Sequence, residues 1–281
     1  MNLAEAVSLT TKKLADADVP DARRDAELLV SFVTRKDKTF LIAHPEYELS
    51  EKDTEQLEKL TSRRLTREPL QYILGHQEFF GLDFEVTPDV LIPRPETEIL
   101  VERAIEFLNP LTDPTFCEIG IGSGCISISV LHNVRTAKAI AADISTKAID
   151  VARSNAVKHA VDDRIQFVES DVFANIPETQ FDAILSNPPY VPEVDLETLQ
   201  PEVRNFEPHL ALTSGEHGLN VIRKLIVGSP QYLKAAGLFI FEMGFDQSET
   251  VSTMFEPAVW QAFEILPDLQ GVPRIAVAVK R

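Results

Sequence analysis

Apolar residues recur every three to four positions through the first quarter of the chain. Leu3, Ala6, Val7, Leu14 and Ala15 fall near a 3.6-residue period, and so do Ala26, Leu29, Val30 and Val33 in the run Ala22 to Thr34 that follows Asp21. Ser50, with Asp53 three residues on, resembles a capping box for a further helix through Leu57, Leu60 and Leu65 to Arg67, stopped before Pro69. Beyond residue 70 the rhythm changes. In QYILGHQEFFGLDFEVTPDVLIP, the apolar Phe79, Phe80, Phe84 and Val86, punctuated by Gly75 and Gly81, predict a β-hairpin. A helix is expected from about Glu96 to Leu108, begun by Pro95 or Thr97. From Thr115 onward, short apolar runs alternate with helical patterns. Strands are predicted at 116–119, 138–142, 165–168, 181–186 and 237–244, with helices after the first three and over 219–232 and 248–255. A closing pair, 262–266 and 274–280, is expected to give an antiparallel edge. This alternation predicts an α/β fold: a doubly wound, Rossmann-like sheet of seven strands.

The expected organisation is therefore a small helical bundle over residues 1–74, a hairpin linker over 75–93 and a sheet domain over 94–281. Residues 191–215 read as a polar, proline-containing loop long enough to serve as a substrate lid. No ionisable constellation appears in the first 70 residues, so the bundle reads as a recognition or packing module, with His44 in a loop or at a helix end. The length of 281 residues and 44% apolar content allow a full core. Cys117 and Cys125 have no metal-ligand spacing, so no metal site and no disulfide framework are expected. The first twenty residues lack a signal-peptide core and no apolar run approaches a membrane span. A cytoplasmic chain with no membrane partner is the expectation.

Charge sharpens this picture. Residues 1–75 hold 12 basic and 14 acidic residues, leaving 15 basic and 30 acidic beyond, so nearly all of the net −17 lies in the sheet domain. So acidic a domain is a poor electrostatic match for a phosphate backbone, which disfavours nucleic acid as a direct partner.

Candidate chemistry gathers at the predicted strand ends. Strand 116–119 ends in Glu118 and runs into Gly120-Ile121-Gly122-Ser123-Gly124, a loop whose glycines permit a tight turn and close approach to a ligand. The pattern is neither GxGxxG nor a P-loop. Glu118 would repel a pyrophosphate, but it suits the cationic amino-acid end of S-adenosylmethionine, met directly or through water. Asp143, closing the second strand, is placed to accept from both ribose hydroxyls. Asp171, after the third, is placed to accept from an adenine amino group, with Val172 lining the ring. The fourth strand delivers Asn187-Pro188-Pro189-Tyr190. Two prolines lack N–H groups and fix φ, so the chain leaves the sheet as a stiff ledge. The Asn187 side-chain oxygen and the Pro188 carbonyl are adjacent acceptors able to hold both hydrogens of a planar –NH2, while Tyr190 can pack on the flat group that carries it. Arg94, between two prolines, is either a substrate-site cation or the partner of a nearby glutamate.

Together these residues resemble the PrmC (HemK) family. The resemblance rests on QYILGHQEFFGLDF, LIPRPETEILVE, EIGIGSG, FDAILSNPPYV, EPHLALTSGEHGL and FEMGFDQ, which occur in the family's order over nearly the whole chain. It implies a helical bundle joined by a β-hairpin to a domain that uses S-adenosylmethionine and leaves S-adenosylhomocysteine. The implied activity is N5-methylation of the glutamine in the Gly-Gly-Gln motif of class-I peptide chain release factors; a monomer is the expectation, though nothing in the sequence reveals the oligomeric state. The implied cofactor site is Gly120 to Gly124, Asp143 and Val172, and Asn187 to Tyr190 would hold the glutamine. The sequence departs from the family at Glu118, where Asp is more usual, and at Val172, where larger side chains occur. Rival readings are a ribosomal-protein glutamine methyltransferase, a nucleic-acid amino-methyltransferase and a non-catalytic binding module.

Overall fold

Period-3.6 apolar stripes can be buried only against one another, and in the first unit they are. The computed structural model describes residues 1–281, which divide by internal packing into two units: Met1–Gly75 with Gln200–Phe206, and His76–Leu199 with Glu207–Arg281. In the first unit, α1 (Leu3–Ala15), α2 (Ala22–Thr34), α3 (Lys38–Ala43), α4 (Glu51–Leu65) and α5 (Leu70–Leu74) enclose a core that includes Leu3, Leu14, Leu29, Val30, Leu57 and Ile73. Side-chain caps set several helix starts. Asn2 and Glu5 form a reciprocal capping box on α1, and Ser50 Oγ accepts from the Asp53 amide at 3.1 Å on α4. His44 is the C-terminal cap residue of α3.

The unit also contains a buried charge cluster. The Arg64 guanidinium donates to Asp25 at 2.7 Å and lies 3.0 Å from Glu202, while Arg67 grips both Glu202 oxygens at 2.7 and 2.8 Å. Burying Arg64 is tolerable because two carboxylates neutralise and hydrogen-bond it. Glu202 comes from the stretch expected to be a loop, so the middle of that loop is part of the helical unit.

The second unit begins with the hairpin β1 (His76–Phe79) and β2 (Leu82–Glu85). It is no free-standing linker. Phe79 and Phe84 are fully buried in a core shared with Leu100, Val101 and Phe116, and Asn155 pairs with both backbone groups of Glu85 at 2.8 and 3.0 Å. Then follow α6 (Glu98–Leu108), β3 (Thr115–Ile119), α7 (Cys125–Asn133), β4 (Lys138–Asp143), α8 (Thr146–Lys158), β5 (Ile165–Glu169) and β6 (Phe181–Ser186). The chain continues through α9 (Pro201–Phe206), α10 (His209–Leu212), α11 (Asn220–Tyr232), β7 (Leu233–Glu242), α12 (Ser248–Ser252), β8 (Trp260–Pro267) and β9 (Pro273–Lys280).

The seven strands lie in the order β5-β4-β3-β6-β7-β9-β8, parallel except for β9, which runs antiparallel between β7 and β8. The antiparallel strand is thus one place in from the edge. Alternate residues of β3, β6 and β7 feed two cores: Phe116, Leu185 and Ile240 on one face, Cys117, Ile184 and Phe239 on the other. After β3 the chain winds outward through β4 and β5, then returns to lay β6 on the other side of β3. The crevice beyond the carboxyl ends of β3 and β6 is therefore a topological switch point, where open α/β sheets bind ligands. No helix is long and apolar enough to cross a membrane.

Candidate active site

A cavity of about 360 Å³ opens at this switch point, within the range small-molecule sites occupy. Of the residues singled out in the sequence, Glu118, Gly120, Ile121, Gly122, Ser123, Asp143, Asp171, Val172, Asn187, Pro189 and Arg94 line it. Gly124, Pro188 and Tyr190 do not. Gly124 caps α7 at φ +84°, and a Cβ there would lie 2.7 Å from Ile128 Cδ1 and 3.3 Å from Ala152 Cβ, so its lack of a side chain lets α7 and α8 approach.

The glycine loop is held by its neighbours. The amides of Gly120 and Ile121 donate to the Ala142 carbonyl, and the amide of Gly122 donates to Asp143 Oδ2 at 3.0 Å. Asp143 Oδ1 accepts from the Ser145 amide at 2.9 Å, so the carboxylate is fixed at the mouth of β4 with lone pairs to spare. Burial raises the Asp143 pKa, and these amides partly oppose the rise.

Glu118 is more exceptional. It is fully buried; Oε2 takes both the amide and the hydroxyl of Ser127, but Oε1 has no partner. An orphaned carboxylate oxygen is costly, and burial pushes this carboxyl up to about 8 despite the opposing Ser127 hydrogen bonds. A cation arriving in the cavity would meet an acceptor that lacks a donor. S-adenosylmethionine, with an ammonium, a ribose diol and an adenine ring, fits the set Glu118, Asp143 and Val172. The sign of the pH effect follows. Because the folded-state pKa lies above the ordinary 4.5, the protonated carboxyl contributes stability below pH 4.5 that is lost as pH rises through about 8. Urea unfolding of the unliganded protein should show the wild type losing ground to Glu118→Gln across that window. Parallel curves for the two proteins would contradict the assignment.

Asp171, expected to meet the adenine, is occupied: Lys224 Nζ lies 3.0 and 2.9 Å from its two oxygens, and both residues line the cavity. Val172 sits at φ +53°, a conformation that β-branched residues avoid. It is retained because Ser170 Oγ donates to the Val172 carbonyl at 2.9 Å and accepts from the Asn175 amide at 3.0 Å.

The ledge after β6 is braced from several directions. Asn187 Nδ2 donates to Thr97 Oγ1 at 3.0 Å; Thr97 Oγ1 donates to Glu242 Oε2 at 2.6 Å; Tyr190 OH donates to Glu242 Oε1 at 2.9 Å. With its nitrogen engaged, Asn187 keeps Oδ1 as an acceptor, and the residue lines the cavity. Gln247 holds the exit of the ledge, donating to the Tyr190 carbonyl at 2.9 Å and the His217 carbonyl at 3.2 Å, and accepting from the Gly244 amide. Arg94 lines the cavity but is ion-paired with the buried Glu207 at 2.5 Å. Glu207 Oε2 in turn accepts from the Ile92 amide.

Thr97, Glu242 and Gln247 escaped the sequence reading. A signal existed for one of them: GLFIFEMG is an apolar strand interrupted by a single acid, and a buried acid requires partners.

Residues 5–75 match the family described as PrmC N-terminal domain, and residues 97–204 the methyltransferase small domain. The chain is similar to the release factor glutamine methyltransferase of Koribacter versatilis, 39% identical over 281 residues that span 100% of this chain and 99% of the relative. It is also similar to that of Geobacter sulfurreducens, 39% identical over 262 residues, 93% and 91% of the two chains. Its fold is similar to the 16S rRNA N2 G1207 methyltransferase of T. thermophilus, solved with AdoMet and guanosine, with a TM-score of 0.53 and 18% identity over 73% of this chain and 50% of that one.

Proposed function

The chain belongs to the release factor glutamine methyltransferase family, and from that membership we infer that it methylates N5 of the glutamine in the Gly-Gly-Gln motif of class-I peptide chain release factors. It is an S-adenosylmethionine-dependent enzyme. The observation that carries the reading is Asn187: a residue lining the switch-point cavity, whose carboxamide nitrogen is tied to Thr97, leaving its oxygen to accept.

When bound, S-adenosylmethionine supplies a methyl group made electrophilic by its sulfonium. Glu118 and Asp143 hold the ammonium and ribose ends of that molecule, and Gly120 to Ser123 line its berth. Asn187 Oδ1 and the Pro188 carbonyl accept the two hydrogens of the glutamine –NH2, which fixes the nitrogen. Pro188 and Tyr190 lie just outside the cavity lining, and the Tyr190 ring is the aromatic expected to meet the amide plane once the glutamine is seated. Much of the acceleration expected here comes from that orientation. No side chain need act as a base, because an amide nitrogen becomes acidic on alkylation and loses its proton to solvent. Arg94, charge-balanced by Glu207, borders the glutamine's approach.

The acidic sheet unit supports a protein rather than a nucleic-acid substrate. The translation machinery as the source of that substrate supports a cytoplasmic location. Incubating the protein with purified release factor and S-adenosylmethionine should place one methyl on the motif glutamine, located by tandem mass spectrometry. Methyl transfer that persists after that glutamine is replaced would refute the reading.

A further inference from the structure

Thr97 and Glu242 lie 145 positions apart, yet both are buried and joined by a 2.6 Å hydrogen bond. Glu242 receives two hydroxyls, one on each oxygen, from Thr97 and Tyr190. A threonine hydroxyl has one hydrogen. Since that hydrogen goes to the carboxylate, Thr97 Oγ1 can only accept from its other neighbour, and that neighbour is Asn187. The carboxamide must therefore turn its –NH2 toward Thr97 and its oxygen away. A carboxamide rotated by 180° would face Thr97 with an oxygen and set N–H donors against the donors of the incoming glutamine.

We propose that Thr97 and Glu242 are positioning residues, a polarised hydrogen-bond chain that makes Asn187 present an acceptor and, through its second arm, sets the tilt of the Tyr190 ring. This deepens the function assigned above and rests on it. The direction of the chain is imposed by Glu242 in its ionised, acceptor-only form; burial raises its pKa, and the Thr97 and Tyr190 hydroxyls with Arg274 oppose that rise. Glutamine at 242 would place an –NH2 against one of the two hydroxyls. Facing Thr97, it would reverse the chain and rotate Asn187; facing Tyr190, it would release the ring. One carboxylate thus serves both the acceptor and the aromatic wall.

Thr97→Val keeps the shape and removes the hydroxyl, whereas Thr97→Ser keeps the hydroxyl. With saturating S-adenosylmethionine, Thr97→Val and Glu242→Gln should each lower kcat for release-factor methylation about 10- to 100-fold. KM for the release factor and cofactor affinity by calorimetry should change little, and Thr97→Ser should restore most of the kcat. Combining Thr97→Val with Glu242→Gln should cost less than the product of the two single losses, because the two share the arm that leads to Asn187. Normal kcat in Thr97→Val, a loss confined to KM, or no rescue by serine would overturn the proposal.

A substrate-free readout separates this idea from the reading beneath it. The Asn187 side-chain amide resonances, identified by their loss in Asn187→Ala, should exchange slowly with solvent in the wild type and rapidly in Thr97→Val. Slow exchange in a protein that leaves the glutamine unmodified would refute the release-factor assignment while upholding the chain. Equal exchange in the two proteins would refute the chain.

Discussion

Asn187→Ala is expected to lower turnover on the release factor about 100- to 1,000-fold, the scale found when one preorganised polar contact is removed from a reacting centre. The loss should fall on kcat. The glutamine nitrogen is a weak nucleophile, and what Asn187 provides is an orientation that matters most when the nitrogen meets its electrophile. Cofactor affinity should be nearly unchanged, because Glu118 and Asp143 are anchored independently, by the Ser127 amide and hydroxyl and by the Gly122 and Ser145 amides. Single-turnover rates with saturating partners, set beside calorimetric titration of S-adenosylmethionine, separate the two effects. A variant that retains wild-type kcat would remove Asn187 from the reacting centre. Asn187→Asp should be nearly as poor: Thr97 has no hydrogen left to give it, so one oxygen of the new carboxylate would face the lone pairs of Thr97 Oγ1.

Gly218→Ala is expected to damage both fold and turnover. A Cβ at this position would lie 1.9 Å from the Tyr190 carbonyl oxygen, 2.7 Å from its carbon and 2.9 Å from Gln247 Nε2, and φ is +67°. The left-handed backbone alone costs about 1–2 kcal/mol, and forced displacement of packed backbone adds about 1–3 kcal/mol. The atoms that must yield belong to the ledge. The part of the population that remains folded should therefore also turn over more slowly, by up to about 100-fold for an ångström of misplacement. Gly75→Ala is the control: φ is +82° but nothing lies within 4 Å, so only the backbone term applies. Urea midpoints for the two variants, with kcat corrected for folded fraction, test this. Similar midpoints would show that the packing around Tyr190 is slack.

Much of this architecture was legible because local signals and tertiary demands agreed. Strand β6 could be read from its apolar run and the prolines that end it, and the glycine loop from its spacing after β3. The doubly wound, seven-stranded sheet followed from the alternation of strands and helices. What escaped had other causes. Helices α3 and α5 have six and five residues, too short for a period to show. Strand β7 starts at Leu233, four residues before Gly237, because it runs through a register irregularity opposite Phe181 and Ala183; Gly237 read as a strand start. The polar stretch 191–215 holds two short helices and a 3-10 turn, pinned by pairings such as Glu202 with Arg67 that span 135 positions. In the site, individual strand-end residues could be named, but Asp171 had no visible claim on Lys224, nor Asn187 on Thr97. Hydrogen bonds between distant positions leave no periodic trace.

The buried Arg64 cluster bears on how such enzymes can be recombined. Its guanidinium is neutralised by Asp25, which travels with the first 75 residues, and by Glu202, which does not. A chimaera that grafts residues 1–75 onto the sheet of a cousin inherits whatever side chain the host carries at 202. With an alanine there, Arg64 keeps one carboxylate and Arg67 loses its fork. The transplantable module is two stretches of chain, and the shorter one, Gln200–Phe206, has to be moved along with the helices it completes.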